Sequence, residues 1–324
     1  MTAIQFCRLN EDKVSQKVIQ SACNNYVTQL IGMAVFVIAL IAPAEHMRSG
    51  SGRAAAAEKQ FSTDAVKTTL RRVNGLETQV QRITVEMAQI ALNLDKSASV
   101  VRLQKAYNRF EQNLSILARG DAAIGIPAPS DPKIKGALGE VQVAWNTFRS
   151  NVLQTILKKD VSRTNLVILA ELDQTLIAAT TQAQKAYREK FLSQKMVSLS
   201  TLTLIQAERQ SYLAGRITAE IWLITLNYEV SRLRPRLAEN VKRFSRVLKG
   251  LRKGDPELQL FPIDNPSLRA ALRRTQSVWE RVLPHVDAVV TGRGLPTELH
   301  VRVRGDMEKL RDTMEKVVDV LARL

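Results

Sequence analysis

Residues 82–145 recur as residues 216–279 without a gap, at a constant offset of 134, with 21 of 64 positions identical. Unrelated chains of this composition would share about 6%. The identities include Arg82-Ile83-Thr84 with Arg216-Ile217-Thr218, Glu86 with Glu220, Arg109-Phe110 with Arg243-Phe244, Gly120-Asp121 with Gly254-Asp255, Pro132 with Pro266 and Trp145 with Trp279. A tandem duplication limits the fold severely. Whatever one copy forms the other must form too, and 324 residues are enough for each to bury a core.

The apolar residues fall at alternating three- and four-residue steps, which places them on one stripe of a helix. In the first copy Val73, Leu76, Val80, Ile83, Met87, Ile90 and Leu94 mark one helix, and Leu103, Tyr107, Phe110, Leu114 and Leu117 a second. Gly120 suits its C-terminus, and Asp131-Pro132 is a helix start signal. Ile134, Leu138, Val141, Trp145, Phe148 and Val152 mark a third helix, and Leu169, Leu172, Leu176, Ala179 and Ala183 a fourth. The second copy repeats this with stripes starting at Ile217, Leu237, Leu268 and Leu310. The fold class is therefore all-α: two tandem antiparallel four-helix bundles, over 58–195 and 196–324. No glycine or proline occurs between Gly139 and Gly215. A continuous helix over 163–228 is expected to join the bundles, about 100 Å long at 1.5 Å per residue.

Residues 1–25 are polar, and Leu30 to Ala44 is an unbroken run of apolar or small residues extended backward by Tyr26-Val27. Such a run fits a single membrane anchor over 26–45, and Ala42-Pro43-Ala44 equally fits the cleavage site of a signal peptide. Either places the chain beyond the linker at 46–57 outside the cytoplasm, soluble or tethered to the inner membrane. Both cysteines, Cys7 and Cys23, precede this run, so the body of the protein carries no thiol.

The net charge of +16 makes polyanions a class to consider. Much of it lies between 232 and 253, where Arg243, Arg246, Lys249, Arg252 and Lys253 form a candidate face for an acidic partner, unless they simply make a solvated helix surface. Nucleic acid is not the expected partner. His46, His285 and His300 are not at metal-ligand spacing, and no glycine-rich phosphate loop follows a strand. Neither metal, cofactor nor catalysis is expected. Arg82 and Arg216 each stand four residues before a glutamate, Glu86 and Glu220. They either form ion pairs along the helix or present a planar fork to a small anion.

Ala207-Glu-Arg-Gln-Ser-Tyr-Leu-Ala-Gly-Arg-Ile217 resembles the helix-one signature of the type IV pili methyl-accepting chemotaxis transducer N-terminal (PilJ-type) domain, Ala-Gly-x-Gln-Arg-Met-Leu-Ser-Gln-Arg-Ile. Ala207, Arg209, Gln210, Leu213, Arg216 and Ile217 fit it, and both copies carry the later Phe-to-Gly-Asp step and the helix-three tryptophan. The resemblance implies a sensory module related to nitrate and nitrite sensors, in which an anion sits between the helix-one segments of two subunits. It makes Arg82, Arg209, Gln210 and Arg216 the candidate ligand residues. Its expected partners are a small anion or metabolite, an envelope receptor protein or a second copy of the chain. Ser211 and Glu208 depart from the motif, replacing an arginine and a glycine, and a carboxylate there disfavours nitrate. No output domain is expected in the chain. A structural rod in the envelope and a basic binder of nucleic acid or anionic lipid are the alternatives.

Overall fold

The computed structural model describes residues 63–324 apart from 194–198 and 263. Among the described residues eight long helices form two closed rings of four. The first ring is α1 (Thr63–Ala91), α2 (Lys96–Arg119), α3 (Pro132–Lys158) and α4 (Arg163–Ser193). The second is α5 (Leu199–Thr225), α6 (Val230–Lys253), α7 (Pro266–Val290) and α8 (Thr297–Ala322). Within each ring every helix packs on its two chain neighbours, and the first packs on the fourth. The fold is an all-α helical bundle, built twice.

The connections repeat as faithfully as the helices. Asn93 and Asn227 take left-handed φ values of 56° and 58°, and the next amide, of Leu94 or Tyr228, reaches back to the carbonyl of Gln89 or Leu223 at 2.8 and 2.9 Å. This is the left-handed helix stop for which asparagine is the best residue after glycine. Helix α3 starts at Pro132 with the Asp131 side chain accepting from Lys133 N, and α7 at Pro266 with Asn265 accepting from Leu268 N. After α2 and α6 the chain pinches into isolated bridges, Asp121 to Ile126 and Asp255 to Leu260. Both pinches need the positive φ of Gly120 (77°) and Gly254 (86°), where a Cβ on Gly120 would stand 2.4 Å from Ala128 N. Gly120→Ala is expected to cost about 1–3 kcal/mol in urea denaturation. Gly254→Ala should cost less, because its nearest obstacle is the Pro262 ring at 3.0 Å.

Every stripe residue expected on the first helix is buried. So are Trp145 and Trp279, whose indole N–H groups donate to Glu111 at 2.8 Å and Ser245 at 3.0 Å, residues 134 apart like the tryptophans themselves. Helices α1 and α5 nevertheless break the amphipathic pattern. Thr69, Gln81, Thr84, Glu86 and Gln89 on α1, and Thr201, Gln210, Ser211, Thr218 and Glu220 on α5, are also buried. A helix with no solvated face lies at the centre of its assembly. The reason is that α1 packs on α5 as well as on its own ring.

The packing of α1 on α5 is parallel and in the register of the duplication. Asn74 donates to Glu208, its counterpart 134 residues on, and a Cβ on Gly215 would stand 3.2 Å from that of its counterpart Gln81. Gly215 thus permits the close approach. Helix α4 runs the other way along α1, since Asp173 meets Thr84 while Gln184 meets Glu77. The junction of the expected continuous helix, residues 194–198, lies outside the described residues. On its two sides, however, α4 and α5 run in opposite directions along α1. Helices α4 and α5 are therefore not halves of one straight helix, and the rings stand side by side where one long helix would have separated them. Burial drives this: the polar stripes of α1 and α5 cover each other only if α5 folds back.

Candidate functional site

The seam between α1 and α5 collects the buried ionisable groups. Each helix carries a glutamate on the side facing its own second helix. Glu86 accepts from Arg102 at 2.9 Å and Glu220 from Arg236 at 2.7 Å, both pairs again 134 apart. Burial pushes the Glu86 carboxyl up, and the Arg102 guanidinium works against that shift. The two helix-one arginines then reach across the seam. Arg216 binds Asp173 of α4 at 2.8 Å as well as Glu220 at 3.1 Å. Arg82 bonds Glu315 of α8. Each therefore clamps the last helix of the opposite ring, and the ion pair along the helix forms for Arg216 but not for Arg82.

Beside this network lies a cavity of about 200 Å³ bounded by α1, α5, α8 and Arg109 of α2. Arg71, Asn74, Thr78, Gln79, Glu208, Ser211, Glu315 and Asp319 supply the rest of its polar lining. Asn74 holds the Glu208 carboxylate, and Arg71 bridges Glu208 at 3.7 Å to Asp319 at 2.8 Å on the rim. Burial pushes the Glu208 carboxyl up to about 7, against the opposing pull of Asn74 and Arg71. Two buried polar atoms of the lining, Ser211 Oγ and Gln79 Oε1, have no hydrogen-bond partner. Unpaired buried groups are costly, so a site that keeps them is suited to a polar guest.

The pseudo-symmetric counterpart of this cavity is lined differently. Glu77 stands where Ser211 does, and it accepts from Thr181 at 2.6 Å and Gln184 at 2.9 Å. Ile205 and Leu213 replace Arg71 and Gln79, and both are buried. The two sides of the seam thus differ in chemistry, Ser211 with Arg71 and Gln79 on one and Glu77 with Ile205 and Leu213 on the other.

The signature residues are distributed around it. Gln210 is buried with its Oε1 unpartnered, and Arg209 is partly buried, its guanidinium pKa lowered by burial and by the neighbouring Arg243 and Arg188. On α6, Arg243, Arg246, Lys249, Arg252 and Lys253 are exposed, with Arg246 bonded to Asp255 at 3.3 Å and to Glu257 at 2.5 Å. His300 packs edge-on against Trp222 and contacts the Leu295 carbonyl at 3.0 Å. Among the described residues no group of three or more His, Cys, Asp or Glu is placed to hold a metal, and no helix is long and apolar enough to cross a membrane.

The sequence profile of the family described as type IV pili methyl-accepting chemotaxis transducer N-terminal matches twice, over residues 75–187 and 188–304. The chain belongs to the PilJ family. It holds two copies of that domain, and it is similar to Protein PilJ of Pseudomonas aeruginosa, at 27% identity over 213 residues. That stretch is 65% of this chain and 30% of the Pseudomonas protein, so the chain spans less than a third of the length of that relative. Against the PilJ-type signature the geometry is specific. Ser211 and Glu208, which replace an arginine and a glycine of the motif, both line the cavity. Arg71 and Arg109 also line it, yet lie outside the motif. Only the pairing of α1 with α5 brings these residues to Ser211, so no pattern within a single repeat reveals them.

Proposed function

We propose that this protein is a sensory module, carried outside the cytoplasm and soluble or tethered by residues 26–45, that binds one small polar metabolite at the α1–α5 seam. The observation that carries the reading is the open cavity in which Ser211 Oγ and Gln79 Oε1 are buried and unpaired. Arg109, which forms no ion pair among the described residues, favours a carboxylate on the guest, whereas the Gln79 oxygen and the carboxyls of Glu208, Glu315 and Asp319 favour a hydrogen-bond donor or ammonium group on it. The carboxyl of Glu208 disfavours a bare inorganic anion. Family membership supports the sensory role, and the PilJ-type arrangement of paired first helices supports the seam as its place.

A thermal-shift series on the full chain with nitrate, nitrite, small carboxylates and amino acids tests this. A ligand at 100 times its dissociation constant should stabilise the protein by about 2.7 kcal/mol. Ser211→Leu, which fills the cavity with an apolar side chain, should abolish the shift while leaving the unliganded midpoint near its original value. A shift that survives Ser211→Leu would place the ligand elsewhere, and no shift with any compound would remove the metabolite reading in favour of a protein partner.

A further inference from the structure

The duplication supplies an internal control for surface charge. Residues 108–140 and 242–274 are counterparts and form the same α2–α3 and α6–α7 elements. The first stretch has four basic and four acidic residues, a net charge of zero. The second has nine basic and three acidic, a net of +6. Asn108, Ser115, Ala118 and Gly139 stand where Lys242, Lys249, Arg252 and Arg273 do. The fold does not need these charges.

The acids of the second stretch do not neutralise it. Asp255 and Glu257 are bonded to Arg246, and Asp264 to Arg269 at 3.0 Å. Lys249, Arg252, Lys253, Arg273 and Arg274 are exposed and form no ion pair among the described residues. The antiparallel pairing of α6 with α7, fixed by the Trp279 to Ser245 hydrogen bond, sets the end of α6 beside the start of α7. There the chain also exposes an aromatic ring. Phe261 is 52% exposed, flanked by Leu260 packed under Gly250 and Pro262 packed on Gly254, and its counterpart in the first copy is Pro127.

This corner lies at a defined end of the helical body. A Cβ on Gly125 would stand 3.9 Å from that of Ala65, so the α2–α3 loop sits at the N-terminal end of α1. Because α5 runs parallel to α1 in register, the α6–α7 loop with Phe261 occupies the same end. The apolar run of residues 30–44 precedes α1 in the chain.

We infer that the basic face of α6 and α7, with Phe261 at its tip, docks on an anionic bilayer surface. Lys and Arg side chains supply attraction to lipid phosphates, and an exposed aromatic ring inserts at the headgroup level. A membrane accounts for the phenylalanine, which an extended polyanion leaves unexplained, and for the placement at the end where α1 begins, the end from which the chain leads back to the apolar run. The inference rests on the proposed tethering only for that last point.

Flotation of the full chain with phosphatidylcholine vesicles, with and without phosphatidylglycerol, tests it. The readout is the ratio of the two partition coefficients, because the apolar run contributes to both. The ratio should exceed unity, fall with salt, and drop by about tenfold or more in a variant carrying Lys249→Gln, Arg252→Gln, Lys253→Gln, Arg273→Gln and Arg274→Gln. A control with Arg119→Gln, Lys133→Gln and Lys135→Gln should keep it. Phe261→Ser should weaken binding to anionic vesicles without changing the salt slope. An unchanged ratio in the five-residue variant overturns the inference, as does salt-dependent binding to duplex DNA or an acidic protein with no anionic preference among vesicles. Failure to bind neutral vesicles would count against tethering, and the partition coefficient on anionic vesicles then serves in place of the ratio for comparing the variants.

Discussion

Replacing Arg216 by methionine should lower the stability of the protein by about 3–5 kcal/mol, the range for removing one partner of a buried pair. Its side chain is 10% exposed and that of Asp173 only 4%, so water cannot take over the lost contact. Glu220 retains Arg236 and Asn240, whereas Asp173 keeps only the weaker donors Thr84 and Gln81. The charge left uncompensated is therefore Asp173. Adding Asp173→Leu to Arg216→Met should recover part of the loss, and a double-mutant cycle by urea denaturation measures the coupling. Arg82→Met should cost about 1 kcal/mol or less, because its partner Glu315 is 43% exposed and screened. Equal effects at the two arginines would contradict the asymmetry of the seam.

The second large effect concerns pH. The Glu208 carboxyl has its pKa raised to about 7 in the folded protein, by burial first, with Asn74 and Arg71 pulling the other way. A carboxyl raised above its unfolded value binds more protons when folded than unfolded. Stability should therefore fall as pH rises from the ordinary glutamate range to about 7, with the full penalty present above that. The penalty is on the order of 3 kcal/mol. Glu208→Gln keeps the hydrogen-bonding shape of a neutral carboxyl and removes the titration. The variant should be more stable than the parent at pH 8 and close to it at pH 4. Parallel stability curves for the two proteins across this range would show that Glu208 is not the titrating group.

The duplication and the three-four spacing are enough to place all eight helices and a core stripe along each, because burial of a stripe and its period are the same fact. The further buried residues of the helices that pack on three neighbours, such as Leu204, Ile205 and Trp222, lie off those stripes. Asp131-Pro132, Gly120 and Gly254 mark real boundaries for local reasons of capping and left-handed backbone. The relation between the two copies is not legible in that way. The expected straight run through 163–228 rests on propensity, which is blind to the demand that polar stripes such as Thr84, Gln210 and Thr218 find cover. A clue exists: α1 and α5 carry small uncharged polar residues where a solvated face would carry lysine and glutamate. At the site, Arg82 and Arg216 stand out in the sequence as a repeated pair, but their partners Glu315 and Asp173 lie far along the chain, and no spacing announces them. Arg71 gives no signal, and Arg109 recurs as Arg243 but nothing in its own helix distinguishes it from a solvated arginine.

Joining the two first helices in one polypeptide has a consequence for how this seam can change. When two identical subunits meet across a two-fold axis, every substitution is made twice, and a polar opening on one side is matched on the other. Here Ser211 and Glu77 occupy equivalent stations yet are different residues, one leaving space and the other filling it. Fusion has released the halves from obligatory identity. Either half of the seam is free to change without the other changing with it.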